Sequence, residues 1–207
     1  MTPASTSSHY LALGDSYTIG EAVAASGRWP AVLVRQLRQA GRVIDEPKIV
    51  AVTGWTTDEL AHGMDAASLA SAHALVTLQI GVNNQYRGRP VDDYREQFAS
   101  LLARAIALAG DRAGRVLVVS IPDWGVTRFA GEQGRDRAVI AAELDAYNAA
   151  ARDEARRRGA RFVDITDISR SHPGLVADDG LHPSAAQYAL WVERIAPVAD
   201  AALRSPD

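Results

Sequence analysis

Hydrophobic positions along the chain follow two alternating patterns, short apolar runs and stripes with helical spacing. The apolar runs, which are typical of buried strands, lie at residues 10–13, 48–53, 74–80, 115–121 and 161–165. The helical stripes lie at residues 29–40, 57–69, 91–109, 136–158 and 184–203. Strands that alternate with helices in this way predict an α/β fold, in which helices cover both faces of a parallel sheet.

Length and composition favour one globular domain. The 207 residues are closer to one average domain than to two, and no linker interrupts the predicted core, residues 10–203. Hydrophobic residues make up 47 % and charged residues 23 % of the chain, which excludes a disordered or fibrous protein. With a formal net charge of -3, the chain has no overall positive field that would recruit nucleic acid or an anionic membrane.

Several other classes of site and location are excluded or disfavoured. The chain has no Cys, so disulfides, thiolate metal sites and a Cys nucleophile are excluded. No apolar run approaches the roughly 18 residues of a transmembrane helix. Residues 1–8 have neither the basic nor the apolar part of a secretory signal. We therefore expect a cytoplasmic protein with a frayed N-terminus, although a chain that had lost its signal would look the same.

The candidate chemistry lies where the predicted strands end. In open parallel sheets the functional crevice is at the carboxyl ends of the strands. Ser16 follows the first strand directly, in Gly14-Asp15-Ser16, where a serine can act as a nucleophile or simply cap the next helix. The chain lacks a G-x-S-x-G sequence, which argues against an ordinary α/β-hydrolase.

A serine nucleophile needs a base, and His182 is the best placed of the five histidines. We expect His9 to lie in the frayed start, and His62 and His73 to be surface residues near the second long helix. His182 lies in a long loop after the fifth strand, three positions after Asp179. With Gly180 between them, the Asp179 carboxylate can orient the imidazole as in an acyl-transfer triad. The alternative is that Asp179 only forms an Asx-turn.

Two more strand ends offer donors for an oxyanion. Gly54 follows the second strand and exposes a backbone N–H, and Asn83 follows the third strand and carries a side-chain amide. Each residue is also explained as a turn former. Turn formation alone does not explain why Ser, Gly, Asn and an Asp-His pair each follow a different strand.

The candidate residues form four blocks along the chain, Gly14-Asp15-Ser16, Gly54, Gly81-x-Asn83 and Asp179-x-x-His182. In their order and rough spacing, these blocks resemble those of the SGNH hydrolase, or GDSL-type esterase, superfamily. The resemblance implies a three-layer α/β/α sandwich like flavodoxin, with a five-stranded parallel sheet in the order 2-1-3-4-5. It also implies hydrolysis of carboxylic esters without a metal or cofactor.

The resemblance also assigns roles to residues. It makes Ser16 the nucleophile, His182 the base and Asp179 the residue that orients His182. It implies an oxyanion hole formed by the N–H groups of Ser16 and Gly54 and the side chain of Asn83. One departure is Asn84, which stands where the pattern usually has Asp; it brings no charge, although it can still hydrogen-bond nearby backbone.

The substrate is the least determined feature. We expect a small-molecule ester, with Trp55, Tyr86 and Trp124 as pocket walls because they follow the second, third and fourth strands. The absence of a long apolar lid favours short acyl chains. Acetylated sugars, lysophospholipids and thioesters are alternative substrates.

Two hypotheses of a non-hydrolytic function remain open on the sequence. A flavodoxin-like binding module would cradle a phosphate with Ser16, Thr18 and Gly20. A non-catalytic member of the hydrolase fold would serve as an interaction domain.

Overall fold

The computed structural model describes residues 8–204, and these form a five-stranded parallel sheet between two layers of helices. The strands are β1 (Tyr10–Gly14), β2 (Lys48–Ala51), β3 (Leu75–Gln79), β4 (Val116–Val119) and β5 (Arg161–Val163). Their order is β2-β1-β3-β4-β5, which confirms the α/β/α sandwich and the strand order that the resemblance implied.

Nine α-helices lie within the described residues. They are α1 (Ser16–Ile19), α2 (Trp29–Gln39), α3 (Thr57–Ala66), α4 (Val82–Tyr86), α5 (Val91–Leu108), α6 (Arg128–Glu132), α7 (Arg137–Arg158), α8 (Thr166–Ser171) and α9 (Ala185–Arg204). The helices α2 and α9 pack together, and α5 packs against both α3 and α7. The buried side chains of β1, β3 and β4 lie between these groups of helices.

The register brings the carboxyl ends of three strands to one level. Gly14, the last residue of β1, lies opposite Ala51 of β2 on one side and Gln79 of β3 on the other. The segments that begin after these residues therefore leave the sheet side by side. Ser16, Gly54 and Asn83 lie in these three segments.

All ten predicted elements are present, with ends that differ by a few residues. The helices α1, α4, α6 and α8 were not predicted. Each has only four to six residues, which is too short to establish a helical period in the sequence.

The expected environments of two histidines are wrong. His73 is buried rather than on the surface, because it lies just before β3 and its Nδ1 is 3.0 Å from the carbonyl oxygen of Leu108 at the end of α5. His9 is exposed but held in place, since its carbonyl accepts from the Ala74 N–H and its Nδ1 lies 2.8 Å from Asp45. His62 is exposed as predicted.

The predicted frayed start falls almost entirely on residues 1–7, which lie outside the described residues. Ser8 itself is bonded, because its hydroxyl donates to Asp45 at 2.8 Å. Among residues 8–204, no helix has both the length and the apolar character required to cross a membrane.

Candidate active site

The segments after β1, β2 and β3 meet the loop before α9 around a pocket with a volume of about 190 Å³. Its lining combines the polar candidates with aromatic and aliphatic side chains. The lining residues are Ser16, Tyr17, Thr53, Gly54, Val82, Asn83, Tyr86, Trp124, Phe129, Leu181 and His182. The structure thus brings Ser16, Gly54, Asn83 and His182 to a single pocket.

Ser16 is the first residue of α1 and is 4 % exposed. The cap of this helix is Asp15, whose Oδ1 accepts from the Tyr17 N–H at 3.0 Å and whose carbonyl accepts from Thr18 and Ile19. Ser16 is therefore not the capping residue. An N–H at the first helical position has no acceptor within its own helix, so α1 itself supplies no partner for the Ser16 N–H.

Asp15 is almost completely buried beside this serine. Burial raises the pKa of its carboxyl to about 7, although hydrogen bonds from the backbone of Tyr17, Gly81 and Asp15 itself oppose the shift. A carboxyl group that is desolvated to this extent resists carrying a full charge at neutral pH.

Asp179 contacts His182 in the way a triad requires. Its Oδ2 lies 2.6 Å from the Nδ1 of His182, which leaves the ring's Nε2 as the free nitrogen. Its Oδ1 accepts from the N–H groups of Leu181 at 2.9 Å and His182 at 3.0 Å. The Asx-turn and the imidazole contact, which the sequence left as alternatives, occur together, one on each oxygen.

The environment of Asp179 favours its ionised form. Partial burial acts to raise the pKa of this carboxyl, but the hydrogen bonds from the His182 side chain and from the backbone of Leu181 and His182 outweigh it and hold the pKa below its usual value. A carboxylate is therefore present at neutral pH to stabilise a protonated imidazole.

The loop that carries this pair is closed by its own backbone. The Ala177 N–H donates to the His182 carbonyl at 2.7 Å, and Val176 forms a bridge with Pro183. Gly180 turns the chain with a φ of 72°. Of the two adjacent acidic residues, Asp179 contacts the imidazole, while the carbonyl of the exposed Asp178 accepts from Arg128.

Asn83 joins two of the segments that form the site. Its Nδ2 donates to the Trp55 carbonyl at 2.9 Å, which links the segment after β3 to the segment after β2. A side-chain amide has two N–H donors, so one remains for a ligand. Gly54 lies beside it in the pocket lining, and the Gly54 carbonyl accepts from Arg87 at 2.7 Å.

Asn84 supports the start of α3 without a charge. It is buried, its Oδ1 accepts from the Thr57 N–H at 3.1 Å, and its Nδ2 donates to the Thr57 hydroxyl at 2.7 Å. The expected backbone hydrogen bond is thus present, and the amide anchors the segment between Gly54 and α3 to α4.

Three aromatic residues were expected as pocket walls, and they differ in where they lie. Tyr86 and Trp124 line the pocket, but Trp55 does not. The Trp55 ring packs against Gly63 of α3, in space that a side chain at position 63 would fill. Sequence position after a strand could not reveal this partner.

The remaining lining residues were not predicted. Val82 and Leu181 lie inside recognised motif blocks and Tyr17 directly follows one, so their proximity to Asn83, His182 and Ser16 was a usable signal. Phe129 belongs to α6, and its N–H donates to the Gly180 carbonyl at 3.1 Å. Nothing in the sequence around α6 marks it as part of the site.

The geometry argues against the phosphate cradle at the start of α1. Thr18 is completely buried, with its hydroxyl 3.5 Å from the Gln79 side chain. The Gly20 N–H is already bonded to the Ser16 carbonyl at 3.0 Å. Within residues 8–204, no three His, Asp or Glu side chains are grouped closely enough to hold a metal ion.

Comparison with known families gives one match that spans most of the chain. Residues 12–190 match the model of the GDSL-like lipase/acylhydrolase family. No curated protein sequence matches the chain significantly.

Many solved structures share the fold. An esterase from Pseudoalteromonas is 16 % identical, with a TM-score of 0.71, and the match covers 96 % of this chain and 100 % of the esterase chain. A phospholipase A1 from Streptomyces albidoflavus is 19 % identical, with a TM-score of 0.66 and coverage of 94 % and 99 %. A variant of an acetyl-xylooligosaccharide esterase from Geobacillus is 18 % identical, with a TM-score of 0.68 and coverage of 97 % of both chains.

Proposed function

The chain belongs to the GDSL-like lipase/acylhydrolase family and is a serine hydrolase of carboxylic esters, and we propose that it cleaves esters of short acyl chains through Ser16, His182 and Asp179. One observation carries the proposal. His182 has its Nδ1 occupied by Asp179 while its ring lines the same pocket as Ser16. This leaves Nε2 to act as the base.

In the proposed reaction, His182 removes the proton of the Ser16 hydroxyl as the serine oxygen attacks the ester carbonyl. The N–H groups of Ser16 and Gly54 and the Asn83 amide donate to the developing oxyanion. Asp179 stabilises the imidazolium, which then protonates the leaving alcohol. Water, activated by the same imidazole, releases the acid from the acyl-enzyme.

Pocket size supports a short acyl chain. A volume of about 190 Å³ is below the roughly 300–1,000 Å³ of pockets that hold drug-sized ligands. The alcohol must leave while the acyl group stays on Ser16, so the enclosed part of the pocket suits the acyl group. No Lys or Arg is among the lining residues, which disfavours substrates with a phosphate near the ester.

A fluorophosphonate probe tests the nucleophile, because it reacts with an activated serine. We expect one adduct, located on Ser16 by mass spectrometry, and hydrolysis of p-nitrophenyl acetate and butyrate that falls for longer esters. Ser16→Ala should lose both labelling and activity, while Ser171→Ala, at an exposed position in α8, should keep both. An adduct on another residue would refute the assignment.

A further inference from the structure

Three aromatic rings form the wall of the pocket that is contributed by α4, α6 and the turn after β4. The ring centroids of Tyr86 and Trp124 are 5.4 Å apart, those of Trp124 and Phe129 are 6.2 Å apart, and those of Tyr86 and Phe129 are 6.4 Å apart. Trp124 is 2 % exposed although it lines the pocket. It therefore belongs to the packed part of the pocket wall.

A chain of hydrogen bonds fixes the orientation of Trp124. Its indole Nε1 donates to the Oε1 of Gln85 at 2.8 Å, and the Nε2 of Gln85 donates to Glu143 at 2.6 Å. Gln85 is buried, and these two bonds use its carbonyl oxygen and one of its two N–H donors. Rotation of the indole would break the first of these bonds.

Arg135 contacts two of the three rings of this wall. Its guanidinium carbon lies 5.1 Å from the Trp124 ring centroid and 5.6 Å from that of Tyr86. Its Nη1 donates to the Tyr86 carbonyl at 3.3 Å, and its Nη2 is 3.8 Å from the Glu143 carboxylate. Arg135 is not a lining residue, so it supports the two rings without meeting the pocket contents.

We infer that Arg135 is a positioning residue that sets the longest acyl chain the enzyme accepts, by holding Trp124 and Tyr86 closed. The inference rests on the proposed ester hydrolysis at Ser16. Tyr86 is 43 % exposed, so much of its ring has no protein contact on one side. A guanidinium over an aromatic face is attractive, and its removal frees Tyr86 to swing outward and open the wall.

The test is the acyl-length profile of kcat/KM with p-nitrophenyl esters from acetate to octanoate. One methylene in an apolar pocket changes discrimination by roughly 10–200-fold. We therefore expect Arg135→Ala to raise the octanoate-to-acetate ratio by about tenfold, chiefly through a lower KM for the longer ester. Arg135→Lys keeps a cation over the rings and should shift the ratio less.

The matched control is Arg152→Ala in α7. Arg152 also lies over an aromatic ring, 4.8 Å from the Phe162 centroid, and pairs with Asp164 at 2.6 Å, but it is not a lining residue and neither is Phe162. It should lower the melting temperature without changing the acyl-length ratio. An Arg135→Ala enzyme that matches this control, less stable but with the wild-type ratio, would overturn the inference.

A second set of variants is needed in case the main variant does not fold. If Arg135→Ala does not fold, Arg135→Gln, which removes the cation over the rings, and Glu143→Gln, which removes the carboxylate beside it, replace it. Both should shift the ratio in the same direction, and an unchanged ratio in both overturns the inference. Failure of the proposed function looks different, because the wild-type protein would then show no probe adduct on Ser16.

Discussion

Asp179 uses its two carboxylate oxygens for two different contacts. One oxygen accepts from two backbone N–H groups and shapes the turn, and the other faces the imidazole of His182. Replacement by Asn can keep the first oxygen as an acceptor. It also puts an N–H donor in place of the second oxygen, which faces Nδ1 of His182. Because Nδ1 must itself donate at that contact, the substitution disfavours the tautomer that carries its proton on Nδ1.

We therefore expect Asp179→Asn to keep the fold and lose much of kcat. The same change in a serine protease costs about 10⁴ in kcat, and a smaller loss is expected here because a backbone carbonyl can replace part of the contact. Asp178→Asn is the control, since Asp178 is exposed and should leave kcat within a factor of two or so of wild type. If Asp178→Asn is the slower enzyme, the triad assignment is wrong.

Asn83 is predicted to act on the transition state. Loss of one oxyanion donor costs roughly 10²–10³ in kcat, so Asn83→Ala should reduce kcat by that amount and leave KM nearly unchanged. Steady-state kinetics on p-nitrophenyl butyrate measures both. Because Asn83 also bonds to the Trp55 carbonyl, the melting temperature should be compared as well, and a change in KM alone would mean that Asn83 binds the ground state.

Among single residues, the sequence predicts which polar candidates meet in the pocket better than it predicts the side chains that shape the pocket. Ser16, Gly54, Asn83 and His182 each follow a strand end or lie in a long loop, and the sheet brings such positions together. Trp55 does not line the pocket, because its ring packs against Gly63 in the following helix. Such packing depends on tertiary distances that a local pattern does not contain.

Among the elements, the turn between Asp179 and His182 is tightly constrained. Gly180 has a φ of 72°, and a Cβ there would lie 2.7 Å from the Nε of Arg128. Arg128 also donates to the Asp178 carbonyl at 3.1 Å. A side chain at this position therefore meets both backbone strain and a close neighbour.

Gly180→Ala should lower stability by about 1–2 kcal/mol and reduce kcat, because the turn carries His182. Thermal unfolding and ester kinetics measure the two effects. Gly134→Ala is the control, as Gly134 also has a positive φ, 65°, but nothing within 4 Å of its Cβ position. Equal loss of activity in the two variants would show that the turn is not specially coupled to His182.

The long elements were predictable and the short helices were not, for a physical reason. The helices α2, α5, α7 and α9 show helical stripes because each buries one face over several turns. The short helix α1 starts at Ser16 because of the Asp15 cap and its place in the sheet. Tertiary contacts, and not a repeated apolar stripe, determine such short helices.

At the scale of the whole molecule, Asp15 makes stability depend on pH. Burial raises its pKa from 3.8 to about 7, so between these values the folded protein keeps a proton that the unfolded chain releases. The stabilisation of the fold that comes from the protonated Asp15 carboxyl is fully present below about pH 4 and is lost as pH rises towards 7. This direction is opposite to that of a carboxylate in a salt bridge.

Asp15→Asn should remove this dependence and keep an acceptor for the Tyr17 N–H. We expect the difference in melting temperature, variant minus wild type, to be larger at pH 8 than at pH 5. Asp178→Asn should show no such difference, since Asp178 is exposed. A constant difference between Asp15→Asn and wild type across this range would mean that Asp15 does not titrate there.

The candidate site is assembled from segments that lie far apart in the sequence. Ser16 follows the first strand, and His182 comes after the fifth, in the loop that leads into α9. Contacts between such distant segments form slowly, because the intervening chain must be ordered first. A ribosome that has made Ser16 has not yet made the proposed base, His182, so we expect the growing chain to carry an inactive serine until the loop after the fifth strand is synthesised. After denaturation, recovered hydrolysis should accordingly lag behind the return of helical structure.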